Sequence, residues 1–388
     1  MKFKNTCNQK QMRTMNSTAV LCALVNQGPT SRCSLSNKLN LDGTTITHLV
    51  RGLLKKKLIE TSGFSTTTGR PRELLRLNVN AREAIGLLLD PNHIVGKVVN
   101  LGGEIKFRES VQISYSDSRE TLLSKIRMIC DQLLQKTYKS RLLGIGLAYH
   151  GIVNKNDVLE QSAGLSALEG INLRHFFENL YNMPFALQDT SRCLAIAEHW
   201  FGSAKDIEDF ILIQLDYGIG CTLVVDSKPL CGVANSAGEI GHTMVVPEGR
   251  ICRCGMRGCL ETIASLSSIE DLFNKKHPEL GKVTYEHIAK LVAGGHEGAI
   301  EIITEAGKYI GIALSNLISV LNPGHLVLCG RLFSMGPILK EAIKSSLKSH
   351  TVFSSYNSLR IIDGQLEPDS AAIGAAMLIL EKTFCNLA

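Results

Sequence analysis

The chain predicts an α/β protein fronted by a small helical module of a different kind. Three observations carry this: strand-like and helix-like hydrophobic patterns alternate from about residue 84 to the end, the first 80 residues read as three short helices followed by a polar hairpin, and the charge changes sign between the two parts. Of the 388 residues, the first 80 carry 13 Lys and Arg against 3 Asp and Glu, a net +10. Residues 81 to 388 carry 29 against 33, a net −4. A basic module on a slightly acidic body calls for a polyanionic partner at one end and a different partner at the other.

Composition narrows the class further. A chain of 388 residues is long enough for two or three domains, and 44% hydrophobic residues exclude a mainly disordered or fibrous protein. No apolar run reaches 18 residues, and the polar start MKFKNTCNQKQ lacks the hydrophobic centre of a signal peptide, so the reading is cytoplasmic, with no membrane partner. Three of the twelve Cys crowd into eight residues while the others scatter, a usage that suits reduced thiols plus one metal site.

In the module, Asn16 to Val25 places apolar residues on one helical face before Gln27-Gly28-Pro29 stops it. Thr30 or Ser31 can cap a second helix to about Leu39, and Asn40-Leu41-Asp42-Gly43 turns into a third, with Ile46, Leu49, Val50, Leu53 and Leu54 as its inward stripe. This is a helix-turn-helix pattern. Left outside the stripe near the start of the third helix are Thr44, Thr45, Thr47, His48 and Arg51, the hydrogen-bonding groups that read base edges in a major groove. Residues 58–78 then alternate around a polar middle, as a two-stranded wing would, and Gly69-Arg70-Pro71-Arg72 can extend an arginine toward a minor groove or phosphates. The bland alternative is a helical bundle that docks another protein. Charge, turn and wing together favour double-stranded DNA.

The body opens with residues 84–112, whose apolar runs are broken at Asp90-Pro91-Asn92 and Asn100-Leu101-Gly102-Gly103, consistent with three antiparallel strands. A helix over roughly 118–136 and a buried strand LLGIGLAY follow. Further on, Cys252, Cys254 and Cys259 supply three soft ligands, with Gly255 and Gly258 letting the chain wrap, and His242 is the natural fourth. Four protein ligands leave no open position, so zinc here would be structural. The other reading is a cluster of buried or redox-active thiols. Glu239 and Glu261 bracket this loop, and carboxylates in such a setting can accept paired hydroxyl hydrogen bonds from a polyhydroxyl ligand, whereas singly either is an ordinary surface charge.

At Gly238-Glu-Ile-Gly-His242 through Cys252-x-Cys254-Gly-x-x-Gly-Cys259-Leu-Glu-Thr-Ile-Ala-Ser265, the chain resembles the ROK family of repressors, open reading frames and sugar kinases. Supporting pieces are Gly218-Ile-Gly220, Glu198-His-Trp-Phe-Gly202 and the run Leu321 to Gly330. Gly28-Pro-Thr-Ser-Arg32 and Gly69-Arg-Pro71 look like the winged helix of the family's sugar-responsive repressors. The resemblance implies a two-lobed, actin-like, ribonuclease-H-type body with a sugar or sugar derivative in its cleft, contacted by Glu239, His242 and Glu261, with His242 serving metal and sugar through one ring nitrogen each. It also implies a homodimer or tetramer on a palindromic operator, with Arg32, Thr44, Thr45, Thr47, His48, Arg51, Arg70 and Arg72 as DNA contacts. The corresponding boundaries are a winged helix over 1–80, a first lobe over 81–195 joined by a helix from 369–388, and a second lobe over 196–368.

Kinase chemistry is where the sequence departs from the family. The Asp-Ile-Gly-Gly-Thr loop of the kinases is replaced by Leu89-Asp90-Pro91-Asn92-His93, and the second phosphate loop reads Asp216-Tyr217-Gly218-Ile219-Gly220-Cys221-Thr222. In the first loop a proline removes an amide donor and the glycines are missing, and the second adds negative charge and bulk where phosphates would approach. The kinase base position falls on Thr190, with Asp189 one residue away, either accepting a sugar hydroxyl or capping the next helix. The expectation is a repressor sensing a sugar without being an enzyme; the alternative is an ATP-dependent sugar kinase that also binds DNA.

Overall fold

The computed structural model describes residues 9–65, 71–162 and 164–385. Three helices open the chain: α1 (Gln9–Gln27), α2 (Arg32–Leu39) and α3 (Gly43–Lys55). Helix α1 begins about two turns earlier than the apolar pattern indicates, because residues 9–15 are mostly polar, with Met12 and Met15 exposed, and leave no clear periodic signal although most are good helix formers. Ser31 caps α2 by accepting from the Ser34 amide, Asn40 ends it in the left-handed region at φ 50°, and Asp42 caps α3. Ile46, Leu49, Val50 and Leu53 are buried as the stripe requires, whereas Leu54 lies half-buried at its edge.

A short strand β1 (Thr30–Ser31), with β2 (Ile59–Phe64) and β3 (Glu73–Leu77), forms a three-stranded sheet in the order β1-β3-β2. Strands β2 and β3 pair antiparallel from Ile59↔Leu77 to Phe64↔Glu73, which is the wing. Leu21, Leu24, Leu35, Ile46, Leu53, Leu58 and Leu75 are fully or almost fully buried and fill the centre of the module.

The body contains two five-stranded sheets of one topology. In the first, β4 (Glu83–Leu89), β5 (His93–Asn100) and β6 (Ile105–Gln112) form an antiparallel meander, helix α4 (Arg119–Lys136) crosses over, and β7 (Leu142–Tyr149) pairs parallel with β4. The hairpin β8 (Ile152–Val153) and β9 (Leu159–Gln161), then α5 (Leu173–Tyr181), lead to β10 (Phe185–Asp189), giving the order β10-β7-β4-β5-β6. After α6 (Thr190–Phe201), the second sheet repeats the plan with β11 (Phe210–Leu215), β12 (Ile219–Val225) and β13 (Lys228–Pro229) antiparallel. Helices α7 (Glu261–Ala264), α8 (Leu266–Lys276), α9 (Tyr285–Ala293) and α10 (Glu297–Leu321) precede β14 (His325–Cys329), and α11 (Pro337–His350) with α12 (Phe353–Ser358) precede β15 (Arg360–Asp363). The order is β13-β12-β11-β14-β15. Helix α13 (Ala371–Cys385) closes the chain. Two sheets of order 3-2-1-4-5 are the ribonuclease-H-type duplication of an actin-like fold, the arrangement implied by the sequence.

Contacts divide the described chain into two compact units. The first holds everything up to Tyr149, Ile171–Gln188 and the stretch from Ala372. The second holds His150–Gly170 and Asp189–Ala371. These divisions differ from boundaries at 80, 195 and 368. The module shares the first unit because no free linker joins it to the sheet: the Leu101 amide donates to Val79 O at 3.0 Å, and Asn100 Nδ2 donates to Asn80 Oδ1 at 3.3 Å. Helix α13 approaches the first sheet so closely that a Cβ at Gly86 or Gly146 would lie 1.8 Å from the carbonyl oxygen of Ala372 or Ala375, respectively. Within the second unit, an apolar core runs from Ile211 and Ile213 through Phe273, Ile303, Ile310 and Ile343.

Candidate functional site

On the module, Thr44, Thr47, His48 and Arg51 are exposed along one face of α3, and Thr45 is partly so. Two of the threonine hydroxyls are already committed within the helix: Thr45 Oγ1 donates to Asp42 Oδ2 at 2.6 Å, and Thr47 Oγ1 donates to Gly43 O at 2.7 Å. Toward a base edge these side chains present lone pairs and methyl groups, while Arg51 and His48 present donors. The Asp42 carboxyl is held below the usual range by the bonds from Thr45, so the cap carries its negative charge at the helix start.

Arg32 is placed differently from the α3 residues. Its guanidinium pairs with Glu73 on β3, a carboxyl that this contact and Thr61 Oγ1 at 2.9 Å hold below the ordinary glutamate value. Arg32 thereby ties α2 to the wing. Arg72 is exposed beyond β2, with its backbone paired to Ser65, and Arg70 lies outside the described residues.

The second constellation lies wholly in the second unit. A 3-10 turn, Ile240–His242, follows Glu239 and points His242 at the loop of cysteines. That loop doubles back because Gly255 (φ +87°) and Gly258 (φ +73°) take left-handed conformations, and a Cβ at Gly258 would meet Val246 O at 1.7 Å. Cys252 Sγ lies 3.6 Å from His242 Nδ1, and Cys254 Sγ lies 3.7 Å from Cys259 Sγ. All four donor atoms fall within 4.8 Å of one another. A tetrahedral ion with sulfur ligands at about 2.3 Å and a ring nitrogen at about 2.0 Å requires ligand separations of about 3.5 to 3.8 Å, so the donor set fits a metal in chemistry and in spacing.

The ring of His242 faces two ways. Nδ1 belongs to the cysteine cluster, and Nε2 lies 4.0 Å from the half-exposed Glu239 carboxylate. Burial pushes the Glu239 carboxyl up from its ordinary value, an effect that His242 opposes and the negative charge of Asp189 reinforces. Glu261 opens α7 with its side chain largely buried: Oε2 accepts from the Ile219 amide at 3.2 Å, and Oε1 pairs with Arg253 at 2.8 Å. Asp189 caps α6, accepting from the Arg192 amide at 3.0 Å and from Ser191 Oγ at 2.6 Å.

Three arginines matter here that sequence reasoning did not single out. Arg192, 2% exposed, reaches Asp189 Oδ2 at 3.0 Å and donates to Asn235 Oδ1 at 2.7 Å, Asn235 O at 3.1 Å and Ala237 O at 3.0 Å. It pins the strand-to-Glu239 loop to α6. Its signal in the sequence was a charge three residues after Asp189, directly before the apolar run Cys193 to Ala197. Arg253 is signalled only by lying between two cysteines. Arg331 pairs with Asp216 at 2.8 Å and stacks over Tyr217 at 5.6 Å, and nothing local announces that partnership across 115 residues.

The two turns that the sequence compares with kinase phosphate loops each hold a buried carboxylate. At the β4–β5 turn, the buried Asp90 accepts from the Asn92 amide at 3.3 Å and lies 3.5 Å from His93 Nδ1. At the β11–β12 turn, the buried Asp216 accepts from the Tyr217 amide at 2.8 Å as well as from Arg331.

A winged helix on an actin-like α/β body, with a His/Cys3 loop in the second unit, defines a regulator-type architecture on a sugar-kinase scaffold. The chain belongs to the ROK family, whose model matches residues 85–382. It is 25% identical over 392 residues to the xylose repressor of Caldicellulosiruptor bescii, covering 96% of this chain and 97% of that one. It is 26% identical over 384 residues to the DNA-binding transcriptional dual regulator NagC of Escherichia coli, covering 96% and 94%. Among solved structures, a ROK family transcriptional regulator described as a homolog of the E. coli MLC protein superposes with a TM-score of 0.81 at 24% identity, covering 96% of this chain and 99% of that one. A ROK family glucokinase from Streptomyces griseus reaches 0.68 at 21% identity, and 99% of its length covers 77% of this chain. Among the described residues, no helix is long and apolar enough to cross a membrane.

Proposed function

We propose that the protein is a sugar-responsive transcriptional repressor that binds a palindromic operator as a homodimer or tetramer and senses a sugar or sugar derivative without phosphorylating it. The observation that carries this reading is the combination, in one chain, of an exposed Arg51 and His48 face on a winged helix with a ROK body whose phosphate-loop turns hold the buried carboxylates of Asp90 and Asp216. A carboxylate at each turn repels phosphate, and Arg331, the cation that could have received one, is paired to Asp216. Thr190 at the position of the kinase base has no pKa suited to deprotonating a sugar hydroxyl.

In this reading, His242 Nε2, Glu239 and Glu261 hold the sugar, together with Asp189 at the cap of α6, whose charge acts on Glu239. His242 Nδ1, Cys252, Cys254 and Cys259 hold a structural zinc ion, which supplies a fixed cross-link that keeps the loop folded. The names of the relatives, repressors responsive to xylose and N-acetylglucosamine pathways among them, support the effector class. Thr44, Thr45, Thr47, His48 and Arg51 enter a major groove, Arg70 and Arg72 contact the adjoining minor groove or phosphates, and Arg32 acts by holding α2 to the wing.

The test is operator binding, on a site selected from random duplexes, with and without a panel that includes D-xylose and N-acetyl-D-glucosamine, run beside an ATP-consumption assay. A sugar that acts as inducer should weaken operator binding roughly 5- to 150-fold, the range of ordinary allosteric couplings, with no ATP turnover. Sugar-dependent turnover at enzyme rates would overturn the reading in favour of a kinase. On the DNA side, Arg51→Ala should cost about 1 to 3 kcal/mol on the operator and relax base preference, whereas Lys56→Ala should weaken all sequences alike and flatten the salt dependence. Equal losses on operator and random DNA for Arg51→Ala would remove it as a base reader.

A further inference from the structure

The His/Cys3 cluster reaches two carboxylates by different routes. His242 is itself one of the four residues and turns Nε2 toward Glu239. Glu261 follows Cys259 by two residues along the chain, and its carboxylate is held by Arg253, whose backbone lies between Cys252 and Cys254 and whose Nη2 stands 2.8 Å from Glu261 Oε1. The other Glu261 oxygen takes the Ile219 amide of β12 at 3.2 Å. One oxygen anchored to a strand and the other to the loop leave the carboxylate a single orientation, with a lone pair on each oxygen still available. The pair is partly shielded, with side-chain exposures of 49% for Arg253 and 11% for Glu261. Gly218 packs against both: a Cβ there would lie 3.1 Å from Glu261 Oε2 and 3.7 Å from Arg253 Nη2.

We propose that Arg253 is the positioning residue of this site. It holds Glu261 in the orientation that receives sugar hydroxyls, and because the two flanking residues set its own backbone, loop order and Glu261 orientation become one property. The inference deepens the reading above and rests on its assignment of the four metal ligands. Coupling of this kind is reciprocal, so whatever Glu261 gains from the ordered loop, the loop gains from Glu261. Metal retention therefore reports on the link without any sugar or DNA.

The experiment measures the rate at which zinc-loaded full-length protein gives up zinc to a chromophoric chelator in excess. Arg253→Met and Glu261→Gln should each release zinc roughly 2- to 5-fold faster than the native protein, the scale of a lost, partly exposed ion pair. The double variant should be no faster than the faster single one, because both changes break the same pair. Arg253→Lys, which keeps the charge and loses the fork, should fall between native and Arg253→Met. Unchanged rates, additive effects, or Arg253→Lys as fast as Arg253→Met would overturn the link. Native protein that binds no zinc would overturn the metal assignment itself, and with it this inference, an outcome separate from any failure of operator release by sugars.

Discussion

Cys259→Ser protein purified without chelator is expected to carry no stoichiometric metal and to lose its sugar response. Cys259 is completely buried, its sulfur is 3.7 Å from Cys254, and its backbone pairs with Met244 at the base of the loop. Serine fills the space but is a hard, protonated oxygen where a thiolate is needed, so a three-ligand remnant would hold zinc poorly. Metal binding energy is folding energy for such a loop, and its loss should lower the stability of the second unit by about 3 kcal/mol or more. With the loop loosened, Arg253 no longer fixes Glu261 and His242 no longer fixes its ring toward Glu239, so both acceptors lose orientation together. Elemental analysis, calorimetry and operator release by sugar read the three consequences. Cys231→Ser, a half-buried thiol outside the cluster, is the control and should keep all three. A zinc-free protein with full sugar response would take the metal out of the sensing mechanism.

Arg192→Ala should be the most damaging single change away from the metal. The native guanidinium, 2% exposed, forms an ion pair with Asp189 at 3.0 Å and donates to three acceptors on the 235–237 segment that leads into Gly238 and Glu239. Removing it strands those acceptors and leaves the partly buried Asp189 charge without its partner, a loss of about 3 to 5 kcal/mol by comparison with other broken buried pairs. Arg192→Lys should recover little, since a single ammonium cannot reach in four directions at once. The expected signature is a lowered unfolding midpoint together with faster amide exchange over residues 231–239. Unchanged exchange in that segment would show that the tether carries no stability.

Much of this protein was legible locally. The third helix, its buried stripe of Ile46, Leu49, Val50 and Leu53, the strand Leu142–Tyr149 and the helix ending at Lys136 follow from periodicity and capping, properties set by residues within one or two turns of each other. The His/Cys cluster, which could hold a metal, was legible for the same reason, since Cys252, Cys254, Cys259 and His242 span only eighteen residues. The start of α1 was not, because its polar first turns carry no hydrophobic period.

The sequence by itself determined most element types, the module with the exposed polar face of its third helix, and the four His and Cys residues that could hold a metal. Tertiary structure alone decided which charges neutralise one another: Arg253 with Glu261, Arg192 with Asp189 and the 235–237 segment, Arg331 with Asp216, and Arg32 with Glu73. It also decided that the module shares a compact unit with the first sheet. The reason is physical. Backbone propensity and periodicity act over a few residues, whereas an ion pair forms wherever folding brings two opposite charges within about 4 Å, and nothing in the spacing of Asp216 and Arg331 along the chain encodes that meeting.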